Sequence, residues 1–422
     1  MIRAEASRAE ARWARRGTEV LLCVLPSLLV AQKKPAAPAV YVPPAGAWER
    51  KSPSAVGLDS VKLEAAIAFA KSKESKTPRE WEQNHYQTFG REPLGQLIGP
   101  IIDRGDETGL IIRKGYVVAQ WGNPEAIEMT HSVTKSFLST VVGLAFDAGL
   151  IKSTQDTVAK YVPPILRAMP NGTGFAADWP GDARWLKPFD SPHNKRLTWD
   201  VMLRQTSDWE GTLWGKPEWA DRPAQDASTW RTRPRVEPGT VYEYNDVRVN
   251  ALALATLMVW RKPLPEVLKE RIMDPIGASN TWRWYGYDNS WVILDGKQVQ
   301  SVSGGGHWGG GMFINAWDMA RFGLLTLRRG KWGDKQLLSD AWVTQALTPT
   351  KVQPTYGFMN WFTNPDHKFL ASAPVEAFVH VGNGNNIIYV DPVNDIIAVV
   401  RWIDTTPSID GFVQRMLAAV QR

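Results

Sequence analysis

The sequence predicts an α+β protein: an antiparallel sheet flanked by helices, accompanied by a mainly helical lobe. Three observations carry this. Strand-like runs cluster towards the two ends of the chain, a helical pattern precedes the first of them and another closes the sequence, and the middle is rich in Pro, Trp and short helical patterns. Taken in order, Asp59 followed by SVKLEAAIAFAKSKE reads as a capped amphipathic helix. TGLIIRKGYVVAQWG then gives two β-rich runs, 109–113 and 116–121, joined by Lys114-Gly115 as a hairpin. An apolar helix starts near Ser132 and stops at Gly149, a glycine suited to the left-handed residue after a helix end. The clear helix of the middle region is 246–261; strands return at 385–392 and 395–402, and 408–421 is the last helix. The helical lobe is expected over roughly 150–340, with a site between the two parts.

With 422 residues, 44% of them apolar, the chain can bury a large core. Its first 31 residues stand apart. Five arginines precede VLLCVLPSLLVA, a run too short to span a bilayer, so 1–31 reads as an export signal cleaved near Ala31 or Gln32. The expected location is the periplasm or outside the cell, with no stable membrane insertion after cleavage. Residues 32–55 read as a Pro/Ala-rich linker, and 56–422 as the folded domain. The sole cysteine, Cys23, falls in the signal, so the mature chain has neither a disulfide nor a thiolate nucleophile. It keeps 44 basic and 40 acidic residues, a balance of +4, with no basic run that would mark a nucleic-acid partner. The six histidines show no metal-ligand spacing, and neither a metal nor another cofactor is implied.

Chemistry concentrates at HSVTKSF. Ser132 and Lys135, three residues apart on a helix, share a face. A serine becomes nucleophilic when a neighbouring base takes its proton, and a lysine is such a base only when uncharged, as burial among Leu138, Val141, Val142 and Leu144 would favour. The helix start adds N–H groups and positive potential for an oxyanion. Ser132 could instead simply cap the helix while Lys135 reaches water. With 21 serines and 21 lysines, about one Ser-x-x-Lys match arises by chance, so the motif alone does not decide.

Four blocks in order do more. HSVTKSFLSTVVGLAFDAGLI, LTWDVMLRQTSDW, PGTVYEYNDVRVNALAL and HVGNGNNIIYVDP resemble those of the class C β-lactamase-like serine hydrolases, over roughly 55–420. That group includes class C β-lactamases, family VIII esterases, D-stereospecific peptidases and 6-aminohexanoate-oligomer hydrolases. The resemblance implies the β-lactamase/penicillin-binding-protein fold and assigns Ser132, Lys135 and Tyr244 to catalysis. It places the backbone N–H groups of Ser132 and Asn383 in an oxyanion hole. It also puts His380, Gly382, Asn245 and Asp246 beside the substrate, with His380-Val381-Gly382 preferred for the third element over Lys331-Trp332-Gly333, which reads as a surface turn, and over His307-Trp308-Gly309; His307, in the glycine-rich SGGGHWGGG, reads as a further lining residue. Asp246 departs from the family's Tyr-x-Asn. A carboxylate there would keep Lys135 charged, so either the network is altered or Asn245 takes the amide's part.

The resemblance therefore implies an exported serine hydrolase acting on a small ester or amide through an acyl-enzyme. A histidine in place of the Lys-Thr-Gly lysine, together with Asp246, weakens recognition of an anionic β-lactam. A true β-lactamase, a D-stereospecific peptidase and a cell-wall or β-lactam sensor that is acylated without turnover remain alternatives. The sequence leaves the oligomeric state open.

Overall fold

The computed structural model describes residues 41–169, 184–366 and 368–421. The signal expected over 1–31, and the linker as far as residue 40, lie outside them. Lys114 and Gly115 both take positive φ (52° and 85°), the geometry of a two-residue hairpin whose twist suits its strands. They join β1 (Thr108–Arg113) to β2 (Tyr116–Trp121). Farther along lie the short β3 (Glu128–Met129), then β4 (Arg283–Leu294), β5 (Lys297–Val302) and β6 (Gly311–Ile314). The late strands are β7 (Trp361–Phe362), β8 (Phe378–Gly382), β9 (Asn386–Asp391) and β10 (Ile396–Arg401).

The two ends of the chain meet where β10 pairs antiparallel with β1, Thr108 opposite Arg401 and Arg113 opposite Ile396. The resulting six-stranded sheet runs β7-β8-β9-β10-β1-β2. Both faces of its central strands are buried, which is why IIAVVR and NIIYVD are nearly unbroken apolar runs rather than alternating ones. One face packs on α1 (Ser60–Lys71) and the closing helix, which bury Leu63, Ala66, Phe412 and Met416 against Ile111, Ile387 and Val400. Asp59 caps α1 by accepting from the Lys62 amide at 3.0 Å. The other face packs on a larger core containing α2 (Thr134–Asp147), α3 (Asp246–Trp260) and α4 (Ala316–Leu327). The closing helix, Thr406–Ala418, is α5. Gly149 has φ 69° just past α2, as its place in the sequence predicts.

The middle of the chain holds strands besides its helices: β4, β5 and β6 join β3 in a four-stranded antiparallel sheet, order β3-β6-β4-β5. Gly286, Asp288 and Asn289 sit inside β4, where they mimic a turn, and the register with β5 shifts between Gly286 and Trp291. The true turn is Asp295-Gly296, both with positive φ. Residues 41–55 are also packed rather than free. Tyr41 stacks on Tyr116 with ring centroids 4.3 Å apart, and Arg321 in α4 donates to the carbonyls of Pro43, Pro44 and Ala47.

Candidate active site

The start of α2 is built to present one side chain. His131–Val133 forms a single 3-10 turn leading into the helix, with His131 at φ 48°. Thr130 N–H donates to Met312 O at 2.9 Å, and the Thr134 hydroxyl accepts from Met312 N at 2.9 Å, tying the turn to β6. From His131 to Ala145 every residue is buried except Ser132, which is half-buried. His131 packs its ring 4.8 Å from that of Trp81, and neither ring nitrogen has a hydrogen-bond partner. Burial, with Arg401 and Lys135 nearby, pushes its pKa down to about 3, so it is neutral. On the sheet side, a Cβ on Gly382 would run into the Thr130 carbonyl and lie 3.2 Å from the Ser132 amide nitrogen. The end of β8 thus reaches the serine's backbone only because residue 382 has no side chain. Asn383, which follows, is exposed at the strand end.

Lys135 Nζ lies 2.9 Å from Ser132 Oγ. Its side chain is 1% exposed, and so is that of Asp246, with which it forms an ion pair. Burial alone would lower the lysine's pKa, but Asp246 and Tyr244 outweigh it and hold the ammonium above its ordinary value. The resting lysine is therefore charged, as the carboxylate at 246 implies, and not the neutral amine that burial alone would favour. Asp246 stays ionised well below the usual carboxylate range: burial opposes this, and Lys135, His307 and Arg222 overcome it. Tyr244 is half-buried, and the Lys135 ammonium lies 4.7 Å from the centroid of its ring. Trp361 on the edge strand β7 flanks Tyr244, centroids 5.9 Å apart.

Other residues that the sequence placed beside the substrate stand elsewhere. Asn245 is fully buried as the N-cap of α3: its side chain accepts from Arg248 N at 3.1 Å and donates to Glu218 O at 2.7 Å, so it does not replace the family's amide. Asp246 is turned to the lysine and withdrawn from solvent. His380 points from β8 into the large core. Its Nδ1 is 2.8 Å from Ser136 Oγ and its Nε2 3.4 Å from Thr326 Oγ1; burial takes its pKa down to about 3. It is a buried neutral histidine. His307 is likewise withdrawn, its side chain 0% exposed.

His307 belongs to a buried ionic layer behind the lysine. Its Nε2 is 2.7 Å from Glu92 Oε2, and its Nδ1 is 3.4 Å from Asp246 Oδ2 and 3.6 Å from Asp221 Oδ1. Arg222 pairs with Asp221, donates to Asp246 Oδ2 at 3.3 Å, and lies 5.0 Å from the Tyr244 ring centroid. Burial raises Asp221 above the usual carboxylate range. Glu92, Asp221 and His307 each bring one donor atom, all within 4.8 Å, a spacing that a metal ion could bridge; in this structure Arg222 supplies the positive charge beside Asp221. Glu92, Asp221 and Arg222 carry no motif, and their patternless loops gave the sequence no way to single them out. Gly305 closes the site. A Cβ there would meet both Asp246 Oδ1 and Lys135 Nζ, so the glycine-rich stretch is a tight wall against the ion pair.

A serine and a lysine on one helical turn, beside an antiparallel sheet backed by helices, fit the fold of the beta-lactamase-like serine hydrolases. The chain belongs to the beta-lactamase family, whose profile matches residues 110–408. A protein of Escherichia coli O157:H7 named "Putative D-alanyl-D-alanine carboxypeptidase" is 25% identical over 205 residues, 40% of this chain and 46% of that one. The chain thus spans about half the length of that curated relative. In fold it resembles a penicillin-binding protein homologue of Caulobacter crescentus, with a TM-score of 0.52 and 13% identity, over 86% of this chain and 99% of the other. It also resembles EstCE1, a hydrolase with promiscuous acyltransferase activity, with a TM-score of 0.51 and 16% identity, over 84% and 100%. Among the described residues no helix is long and apolar enough to cross a membrane.

Proposed function

We propose that the protein is an exported hydrolase that cleaves a small ester or amide through an acyl-enzyme on Ser132. The observation that carries this reading is the 2.9 Å contact between Lys135 Nζ and Ser132 Oγ, made where only the serine is open to solvent. The charged lysine must first give up a proton, and Asp246 is in direct contact to take it. Burial of the pair lessens the cost of that transfer, because two buried ions carry a desolvation penalty that a neutral amine–acid pair does not. The amine then takes the serine proton as Oγ attacks the carbonyl. Through Tyr244 the proton reaches the leaving group, and the backbone N–H groups of Ser132 and Asn383 hold the oxyanion. Water, activated by the same groups, releases the acyl product.

The proposed substrates are neutral at the position where penicillins carry a carboxylate. His380 is uncharged and buried, and Arg222, a cation beside Tyr244, already faces Asp221 and Asp246. A second reading has its own support: if the Lys135–Asp246 pair stays ionised after acylation, water is not activated, and the protein is a sensor that stays acylated. A panel of p-nitrophenyl esters, anilides and nitrocefin, with wild type and Ser132→Ala, tests both. Turnover of esters or anilides that is lost in S132A, with fluorophosphonate labelling of Ser132, supports the hydrolase. Stable labelling without turnover supports the sensor. Nitrocefin turnover matching that of the esters would reverse the substrate ranking. N-terminal sequencing of exported protein tests cleavage near Ala31.

A further inference from the structure

The lysine's counter-ion is itself held from behind. Asp246 has two carboxylate oxygens: Oδ1 faces Lys135, and Oδ2 faces Arg222 at 3.3 Å and His307 at 3.4 Å. Arg222 is partly exposed, its side chain at 34%, and is shared with Asp221. His307 is not exposed at all. Its ring packs tilted against Phe89, centroids 4.2 Å apart, and edge-on against Trp308, 4.4 Å apart, while Glu92 holds Nε2 at 2.7 Å. An imidazole held by two rings and at one nitrogen has little freedom to turn the other, and that nitrogen, Nδ1, lies at ion-pair distance from two carboxylates, 3.4 Å from Asp246 Oδ2 and 3.6 Å from Asp221 Oδ1, with no hydrogen bond of its own.

We propose that His307 is a positioning residue: held by Glu92, its imidazolium fixes Asp246 Oδ2, and the carboxylate so fixed holds Lys135 against Ser132. The assignment rests on the catalytic reading of Ser132 and Lys135 given above. Charge supports it. Lys135, Arg222 and a protonated His307 balance Asp246, Asp221 and Glu92, whereas a neutral imidazole would leave three carboxylates facing two cations. Although burial opposes the charge, Asp221, Asp246 and Glu92 raise the His307 pKa to about 9, against the repulsion of Arg222. His85, the other titratable ring nearby, is pushed down by burial and adds no charge at neutral pH. A neutral ring that gives its one donor to Glu92 would turn a bare lone pair at Nδ1 towards two carboxylates, whereas an imidazolium brings positive charge there.

The test pairs kinetics with histidine NMR on the full mature chain. In isotope-labelled wild type the His307 signal should titrate near pH 9, far from His131 and His380, and Asp246→Asn and Glu92→Gln should each move it down by about one pH unit or more. H307Q should lower kcat at least tenfold with KM within twofold, and H307Q combined with D246N should be no slower than D246N alone, because the histidine acts only through the aspartate. A His307 titration that ignores D246N, or an H307Q enzyme with wild-type kcat, overturns the proposal. E92Q keeps the ring and its packing, so its NMR shift decides the matter if H307Q fails to fold. The NMR coupling needs no turnover. Absent fluorophosphonate labelling of wild-type Ser132 would therefore sink the catalytic reading while leaving the His307–Asp246 contact to be judged on its own.

Discussion

Lys135 and Asp246 form an ion pair from which both side chains have lost 99% of their exposure to water, one helical turn from the serine that the lysine contacts. A buried pair is weak evidence for stability, since desolvation offsets much of the attraction, but removing one partner strands the other. Asp246→Ala should therefore destabilise the protein by about 3–5 kcal/mol in urea unfolding, and Asp246→Asn by less, because an amide oxygen still accepts from the ammonium. The pair also has a pH signature. Asp246 is depressed, so its contribution is present above the ordinary carboxylate range and is lost as the pH falls through its lowered folded value. Lys135 is raised, so its contribution is present below the ordinary lysine range and is lost as the pH rises through its raised value. In D246N the first dependence should vanish, and the second should shrink or reverse, because burial then pulls the lysine's pKa down unopposed by the carboxylate.

Gly305→Ala tests the wall behind this pair. The added methyl would overlap Asp246 Oδ1 and Lys135 Nζ, so the amine must move away from Ser132. A displacement of about 1 Å at a reacting group costs on the order of 10²-fold in rate. G305A should stay folded by circular dichroism and lose kcat by about that factor. Unchanged kcat would mean that the pair is not squeezed.

Much of this arrangement was legible in the sequence, and the reasons differ by element. The Lys114-Gly115 hairpin, α1 with its Asp59 cap and the α2 pattern ending at Gly149 are local signals, and the structure reproduces them. The family and fold were readable because four blocks in order are far more specific than Ser-x-x-Lys alone. What failed were judgements about direction and partner. Whether His380 faces the cleft or the core depends on the register of β8 in the sheet, which one sequence does not fix. That Asp246 would hold Lys135 charged was readable; that two residues 111 positions apart are in direct contact needed the fold. The layer of Glu92, Asp221, Arg222 and His307 is assembled from separated stretches of chain, and only His307 stood in a recognisable motif.

Two buried histidines should dominate acid unfolding. His131 and His380 each drop to about 3 in the folded protein from an ordinary 6.5, chiefly through burial. Below pH 6.5 the unfolded chain binds protons that the folded one refuses, so stability falls with decreasing pH by about 1.4 kcal/mol per unit for each histidine. His380→Asn, which can still bond Ser136, should make the stability–pH slope shallower by about that amount between pH 6 and 4 in urea titrations. A slope equal to that of wild type would show that His380 is charged in the fold.

Tyr244 offers the last test, because its ring and its hydroxyl have separable roles. The ring packs beside Trp361 and sits 4.7 Å from the Lys135 ammonium; the hydroxyl is the part assigned to proton transfer. Tyr244→Phe keeps the first and removes the second. It should lower kcat by about 10²–10⁴-fold, the usual worth of a positioned proton carrier, with KM little changed. Tyr244→Leu removes the aromatic face as well, and with it a cation–π attraction worth about 0.5–2 kcal/mol in holding the lysine. The Leu variant should therefore be slower than the Phe variant, and less stable. Equal rates for wild type and Y244F would remove the tyrosine from the proton path and leave Lys135 and Asp246 to carry it alone.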